Sequence, residues 1–211
     1  MRFVKKLKNL LNLKLQNMPK IIWYLIITGL VISVTRFMSM PFLAVYFKNN
    51  LGFTSAKVGF LLAVTPFTSM IFSIIGGRLS DILGSKRTYI LSLILSSICL
   101  ISFILFSSYL ILILVAAVSG IAWSLYNTSN QTLLSEYTSD KTVSNVFSYN
   151  YWVINLGGVV GPLLGVYLLN MSIILPFLIF SIVLILICIF YIFIFKSNLL
   201  KFQYLKEMKN R

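Results

Sequence analysis

Four carboxylates, Asp81, Glu136, Asp140 and Glu207, and no histidine are all that this chain of 211 residues offers for proton transfer. None of the four stands in the middle of a long apolar run, so a proton carried across a membrane would need Asp81 or a residue outside the chain. Without histidine, imidazole proton relays, zinc sites of the usual kind and serine–histidine proteolysis are excluded within the chain. Cys99 and Cys188 fall near the middles of apolar runs, away from oxidants and metals, and read as inert apolar side chains. Gly76-Gly77 lacks the Gly-Lys-Ser/Thr ending that a phosphate-binding loop requires. These absences argue against an enzyme and lead us to expect no cofactor and no metal.

The residues that could bind or position a solute lie within the apolar runs. Arg36 is the one charge well inside such a run, about 16 residues and so roughly 24 Å along the first helix at the usual rise. An arginine at the centre of a membrane helix costs about 2.5–3.5 kcal/mol on insertion scales. On a helical wheel Thr28, Thr35 and Ser39 form a line with Arg36 at its shoulder. Two readings are open: a charge facing a cavity, where it meets an anionic group on a solute or another helix, or one snorkelling toward Tyr46 and Lys48. In the fourth run Gly120, Ser124, Asn127 and Gln131 fall within a narrow arc, with Trp123 and Asn130 beside it. They read equally as cavity residues and as interhelical hydrogen-bonding residues. In the fifth, Gly157, Gly161 and Gly165 recur every four residues, a small-residue face on which another helix can approach closely, and Pro162 permits a kink. Ser148, Tyr151 and Asn155 run beside that face, Asn155 as a further cavity candidate.

Hydrophobic residues make up 59% of the chain, charged residues 10%, and the mean hydropathy is +0.95, values beyond those of a water-soluble domain. The chain therefore belongs in a lipid bilayer, as a multi-pass protein of the cell membrane. Runs of about 20 apolar residues cross as helices, and six are predicted at 20–46, 58–79, 88–106, 109–133, 146–169 and 173–195. Only Ser107 and Ser108 separate the third from the fourth, which makes them a tight antiparallel hairpin. Of 18 basic residues, only Lys48 and Lys57 fall in outer loops when the amino terminus is placed inside. This asymmetry predicts cytoplasmic amino and carboxyl termini. The net charge of +14 is then topology, and no nucleic-acid partner is expected. Residues 1–19, with Phe3, Val4, Leu7, Leu10, Leu11 and Met18 spaced among lysines, predict a basic amphipathic segment on the inner surface. Residues 20–195 hold the spans, 196–211 form a basic cytoplasmic tail or the start of a central loop, and no cleaved signal peptide is expected.

Between the second and third spans lies Gly77-Arg-Leu-Ser-Asp81-Ile-Leu-Gly84-Ser-Lys86-Arg87. It resembles motif A of the major facilitator superfamily, matching at Gly77, Leu79, Asp81, Gly84, Lys86 and Arg87, with Ile82 and Ser85 where basic residues are usual. The run from Gly157 through Pro162 to Gly165 is similar to that family's motif C, associated with antiporters that export drugs, with Ser148 and Val166 in place of its first and last glycines. Motif B is not matched: Ala116 and Ser119 stand where arginine and glutamine are expected.

The resemblance covers about residues 20–196 and implies an all-α amino-terminal half built of two inverted three-helix repeats. Spans one and four would line the cavity, with three and six outside. It implies a small-molecule solute moved by alternating access, in the direction of efflux. It also implies that Asp81 latches two halves in the outward-open state, with Lys86 and Arg87 holding the loop by charge. The residues themselves equally allow a helix-end or local ion-pair role for Asp81 among Arg78, Lys86 and Arg87, while Gly77 and Gly84 let the chain turn sharply. A full family member has twelve or more spans, so the expected partner is a carboxyl-terminal six-helix half or a second copy. A truncated or split gene product is the first expectation, ahead of a fragment or a self-pairing protomer. The alternative function is a non-transporting six-span remnant or assembly subunit.

Overall fold

Backbone groups in hydrocarbon find no water, so each apolar run satisfies its own hydrogen bonds as a helix. In the computed structural model, which describes residues 19–140 and 142–196, there are six such spans: Lys20–Asn49, Ser55–Leu83, Ser85–Leu105, Tyr109–Glu136, Val143–Met171 and Leu175–Lys196. All six are long and apolar enough to cross a membrane, and no strand occurs among the described residues. The amphipathic segment expected over 1–19, apart from Pro19, and the tail beyond Lys196 lie outside the described residues.

Several helices outrun their apolar cores. Span two begins at Ser55 because Thr54 caps it, its hydroxyl accepting the Lys57 amide at 3.4 Å. Span one is a broken rod where the sequence predicted a continuous one. Helix Lys20–Ser39 passes into a 3₁₀ turn, Met40–Phe42, and then helix Leu43–Asn49. Pro41 supplies the reason, since it has no N–H with which to continue the ladder. Pro66 in span two and Pro162 in span five sit inside unbroken helices.

The helices pack in a pattern with internal symmetry. Span two lies along span four, span one along span five, and span three against span six; span three also meets span four, and span six meets span one. Exchanging spans one, two and three for four, five and six maps this set onto itself. That is the architecture of two three-helix repeats whose odd number of spans makes them run in opposite directions. Two apolar clusters hold the bundle together. One, at the end where the first span starts and the last span finishes, includes Ile22, Tyr89, Leu133 and Tyr191; the other, at the opposite end, includes Phe47, Phe103, Leu112 and Phe177.

Spans three and six contribute nothing to the cavity described below and pair with each other through one well-buried face each, joined by a hydrogen bond of 2.8 Å between the Ser97 and Ser181 hydroxyls. Only their other sides, such as Ile94, Ile98, Leu186 and Phe193, are exposed. The least covered helices are spans two and five, with 11% and 22% of their apolar windows buried against 39–50% in the others. Phe67, Met70 and Ile74 on span two and Val159, Leu163 and Tyr167 on span five stand exposed.

Candidate functional site

Spans one and four are neighbours that barely touch along their length, and a cavity of about 430 Å³ opens between them and the start of span five. Span one contributes Gly29, Ser33, Arg36, Phe37, Met40 and Pro41; span four contributes Trp123, Tyr126, Asn127, Asn130 and Gln131; span five contributes Asn150 and Ile154. The wall is thus one cation, four carboxamides and a set of apolar and aromatic side chains.

Arg36 bridges the gap. Its guanidinium carbon lies 3.1 Å from the centroid of the Trp123 ring, flat against the aromatic face. Such a contact contributes from about 0.5 to about 2 kcal/mol as the pair is withdrawn from water. The cost of the buried cation, about 2.5–3.5 kcal/mol, is therefore only partly offset. Among the described residues the guanidinium makes no hydrogen bond and no ion pair, and none of the chain's four acids lines the cavity. Snorkelling toward Tyr46 and Lys48 does not occur; the side chain crosses toward span four. Asn130 is 5% exposed and its Oδ1 has no hydrogen-bond partner.

The other predicted cavity residues divide. Arg36, Asn127 and Gln131 line the cavity, whereas Thr35, Ser39, Ser124 and Asn155 do not. Thr35 donates to the carbonyl of Val31 at 2.8 Å, and Ser39 is buried against span six, donating to the Pro176 carbonyl at 2.7 Å. Ser124 is buried where span four meets Gly76 of span two. Asn155 is exposed, its Nδ2 donating to the Tyr151 carbonyl at 2.8 Å. Eight lining residues had no place in the sequence reading, Gly29, Ser33, Tyr126 and Asn150 among them. Gly29, Ser33, Arg36 and Met40 recur at steps of four, three and four, one stripe of a helix, and Asn150 continues the glycine face of span five two turns before Gly157.

That face lies directly on span one. A Cβ built at Gly157 would stand 2.5 Å from Ser33 Cβ, at Gly161 2.6 Å from the Val34 carbonyl oxygen, and at Gly165 2.5 Å from that of Met38. Pro162 lies between two of these contacts and the helix stays intact around it. The three glycines therefore set how closely spans one and five approach, and with it the position of Arg36.

At the end of spans two and four, a groove of about 400 Å³ gathers Ser80, Asp81, Gly84, Ser85, Lys86, Arg87, Thr132 and Glu136. The turn itself is made by Gly84 alone, with φ 84° and ψ 141°. Gly77, expected to help the chain turn, lies inside the continuous helix Ser55–Leu83, and a side chain there would meet open space. Gly84→Ala is accordingly expected to lower stability by about 1–3 kcal/mol, because that backbone region is nearly closed to other residues, while Gly77→Ala is expected to be neutral or mildly stabilising. Thermal unfolding of the two variants in the same detergent checks the contrast.

Local pairing of Asp81 is absent. The side chain is exposed and makes no ion pair among the described residues. The neighbouring groups are engaged elsewhere: Ser85 donates to the Glu136 carboxylate, 2.9 Å from each oxygen, and Lys86 Nζ sits 5.7 Å from the Tyr137 ring and 5.6 Å from that of Phe195. From Phe195 a file of aromatic rings leads inward. Tyr191 follows at 5.2 Å between centroids, Tyr89 at 5.0 Å, Tyr126 at 5.6 Å and Trp123 at 5.0 Å, where Arg36 closes the series.

Residues 25–201 match the family model for the Major Facilitator Superfamily. The chain is 31% identical over 166 residues to a protein of Bacillus subtilis described as the uncharacterized MFS-type transporter YqjV, covering 79% of this chain and 40% of that one. It is 31% identical to the multi-drug resistance efflux pump PmrA homolog of Lactococcus lactis, covering 75% and 39% of the two, and 28% identical to the multidrug resistance protein MdtH of Aeromonas hydrophila, covering 70% and 37%. The chain thus spans about two fifths of the length of these curated relatives.

Proposed function

The chain belongs to the Major Facilitator Superfamily, a family of multi-pass membrane transporters, and from that membership we propose that it forms the solute-binding amino-terminal half of an exporter of small amphipathic molecules working by alternating access. The observation that carries this reading is the cavity between spans one, four and five, where a cation and four carboxamides share a wall with aromatic and aliphatic side chains. Pockets for small molecules combine a mostly apolar lining with a few placed polar groups in this way. Export, as the direction, is supported by relatives named for multidrug resistance and efflux and by the glycine face with Pro162.

In this reading both termini and the Gly84 turn are cytoplasmic, and spans two and five meet a second six-helix unit along their exposed apolar faces. Asp81, unpaired within its own groove, then latches to that unit, with Lys86 and Arg87 holding the turn. Asp81→Asn is expected to lower transport about ten-fold while insertion and monodispersity are unchanged, a coupling of roughly 1.4 kcal/mol between the two conformations.

The test is flux. The chain is reconstituted in liposomes alone and together with the carboxyl-terminal half of the Lactococcus relative, and the movement of one anionic, one neutral and one cationic dye is followed. Movement of any dye by the paired halves, lost in Asp81→Asn, supports transport. If no dye moves in either preparation, the chain is a non-transporting assembly subunit.

A further inference from the structure

We propose that the cavity takes a small organic carboxylate, its oxyanion seated on the edge of Arg36 and its apolar body lying against Phe37 and Met40. The proposal rests on the reading of this cavity as a solute site and adds the sign of the solute's charge.

Arg36 is placed for this by what already occupies it. Trp123 covers the face of the guanidinium, its ring centroid 3.1 Å from the central carbon, and a cation held by its face keeps its N–H edge for other partners; both residues line the cavity. A guanidinium carries five N–H donors and no acceptor, and its fork matches the two oxygens of a carboxylate. Among the described residues those donors have no acceptor, and the chain has no acid in the cavity with which to neutralise them. A cationic solute would meet a fixed positive charge with no carboxylate to balance it. A bare inorganic oxyanion would satisfy Arg36 and leave the apolar wall of Phe37, Met40, Pro41 and Ile154 unused. A carboxylate on a ring or short chain uses both.

A second observation is independent of the arginine. Asn130 is a lining residue of the same cavity, and its Oδ1, closed off from the open space, has no hydrogen-bond partner. Buried carboxamides are ordinarily hydrogen-bonded, and an orphaned one in a cavity wall calls for a partner from outside the chain. Its Nδ2, which is not closed off, donates to the carboxylate, and once the amide is turned its oxygen accepts from an N–H or O–H donor on the solute. The glycine face of span five fixes the depth of this arrangement, because Gly157 and Gly161 hold the backbone of span one beside Ser33 and Phe37, on either side of Arg36.

Three probes of one shape and different charge decide the matter: benzoate, benzamide and benzylamine, radiolabelled. Each is measured by equilibrium dialysis against the full chain in phosphatidylcholine nanodiscs, with empty nanodiscs as the baseline. Saturable binding of benzoate at least ten-fold tighter than of the other two is expected. Arg36→Gln should reduce it at least ten-fold, Arg36→Lys less so, and Asn130→Leu about three-fold or more, all in variants with unchanged helical circular dichroism. Should Arg36→Gln fail to fold, Arg36→Lys and Asn130→Leu still report. Equal binding of the three probes, an undiminished benzoate signal in both Arg36 variants, or no saturable benzoate binding overturns the proposal. Loss of benzoate binding on adding phosphatidylglycerol, with its own retention dependent on Arg36, would assign the anion to a lipid headgroup and likewise overturn the solute reading. Dialysis requires no translocation. Dye flux with no benzoate binding removes the carboxylate alone, and benzoate binding without flux removes transport and leaves the site.

Discussion

Gly161→Ala should melt the bundle several degrees below the unaltered chain, while Gly158→Ala, three residues earlier, should melt at or slightly above it. The two glycines stand on one helix and differ only in what they face. A Cβ at Gly161 would lie 2.6 Å from the Val34 carbonyl oxygen, 2.7 Å from Phe37 Cβ and 2.9 Å from the Met38 nitrogen. Two of those three atoms are backbone and the third is fixed to it, so the methyl group is accommodated only by moving span one as a body. A Cβ at Gly158 would meet nothing nearer than the Phe37 ring at 3.8 Å, an ordinary contact. Overpacking typically costs about 1–3 kcal/mol, and replacing an unconstrained helical glycine by alanine gains up to about 1 kcal/mol. For a chain of this length these correspond to shifts of roughly 2–4 °C per kcal/mol, in opposite directions. Thermal unfolding of both variants in one detergent reads the difference. If they unfold together, the close approach of spans one and five does not limit stability.

Arg36→Leu is the second large effect, and its two consequences have opposite signs. The buried cation costs about 2.5–3.5 kcal/mol against a cation–π return of up to about 2 kcal/mol. Removing it should therefore raise stability by on the order of 1 kcal/mol, a rise in melting temperature of roughly 2–4 °C. The same change should abolish retention of an anionic solute. Stability held below its attainable value at a functional position is a familiar pattern. A marked fall in melting temperature would instead make Arg36 a structural brace between spans one and four, and the cavity would need another explanation.

The six spans and the glycine face were legible from the sequence because lipid permits few alternatives: an apolar run of sufficient length becomes a helix, and small residues spaced by four make one flat side. The cavity was half legible. Arg36, Asn127 and Gln131 belong to it; Thr35, Ser39, Ser124 and Asn155 do not. Three of the four failures share a cause; the fourth, Ser124, is buried against span two with no partner for its hydroxyl. Hydroxyls in a helix can donate to the carbonyl four residues back, as Thr28 does to Tyr24, Thr35 to Val31 and Ser39 to Thr35. A side chain satisfied by its own helix reports nothing about what lies opposite, and a line of threonine and serine is a poor guide to water. Asn155 escapes in the same way, through Tyr151. Arg36, Asn127, Asn130, Gln131 and Asn150 make no such bond, and all five face the cavity. Pairing of Asp81 was illegible for a different reason, since the ring contacts that draw Lys86 away come from residues about 50 and 110 positions further along the chain.

The file of rings from Phe195 to Trp123 has an optical consequence. Tyr191, Tyr89 and Tyr126 stand in sequence with centroids 5.0–5.6 Å apart, and the last stacks on Trp123 at 5.0 Å. Excitation absorbed by these tyrosines is passed toward the indole, the lowest-energy chromophore of the series, and is emitted beside the Arg36 guanidinium. With Trp23 and Trp152 replaced by phenylalanine, the chain's indole emission would come from one place, the wall between spans one and four. The molecule carries its own lamp in the cavity wall, fed in part by light collected along the file of tyrosines.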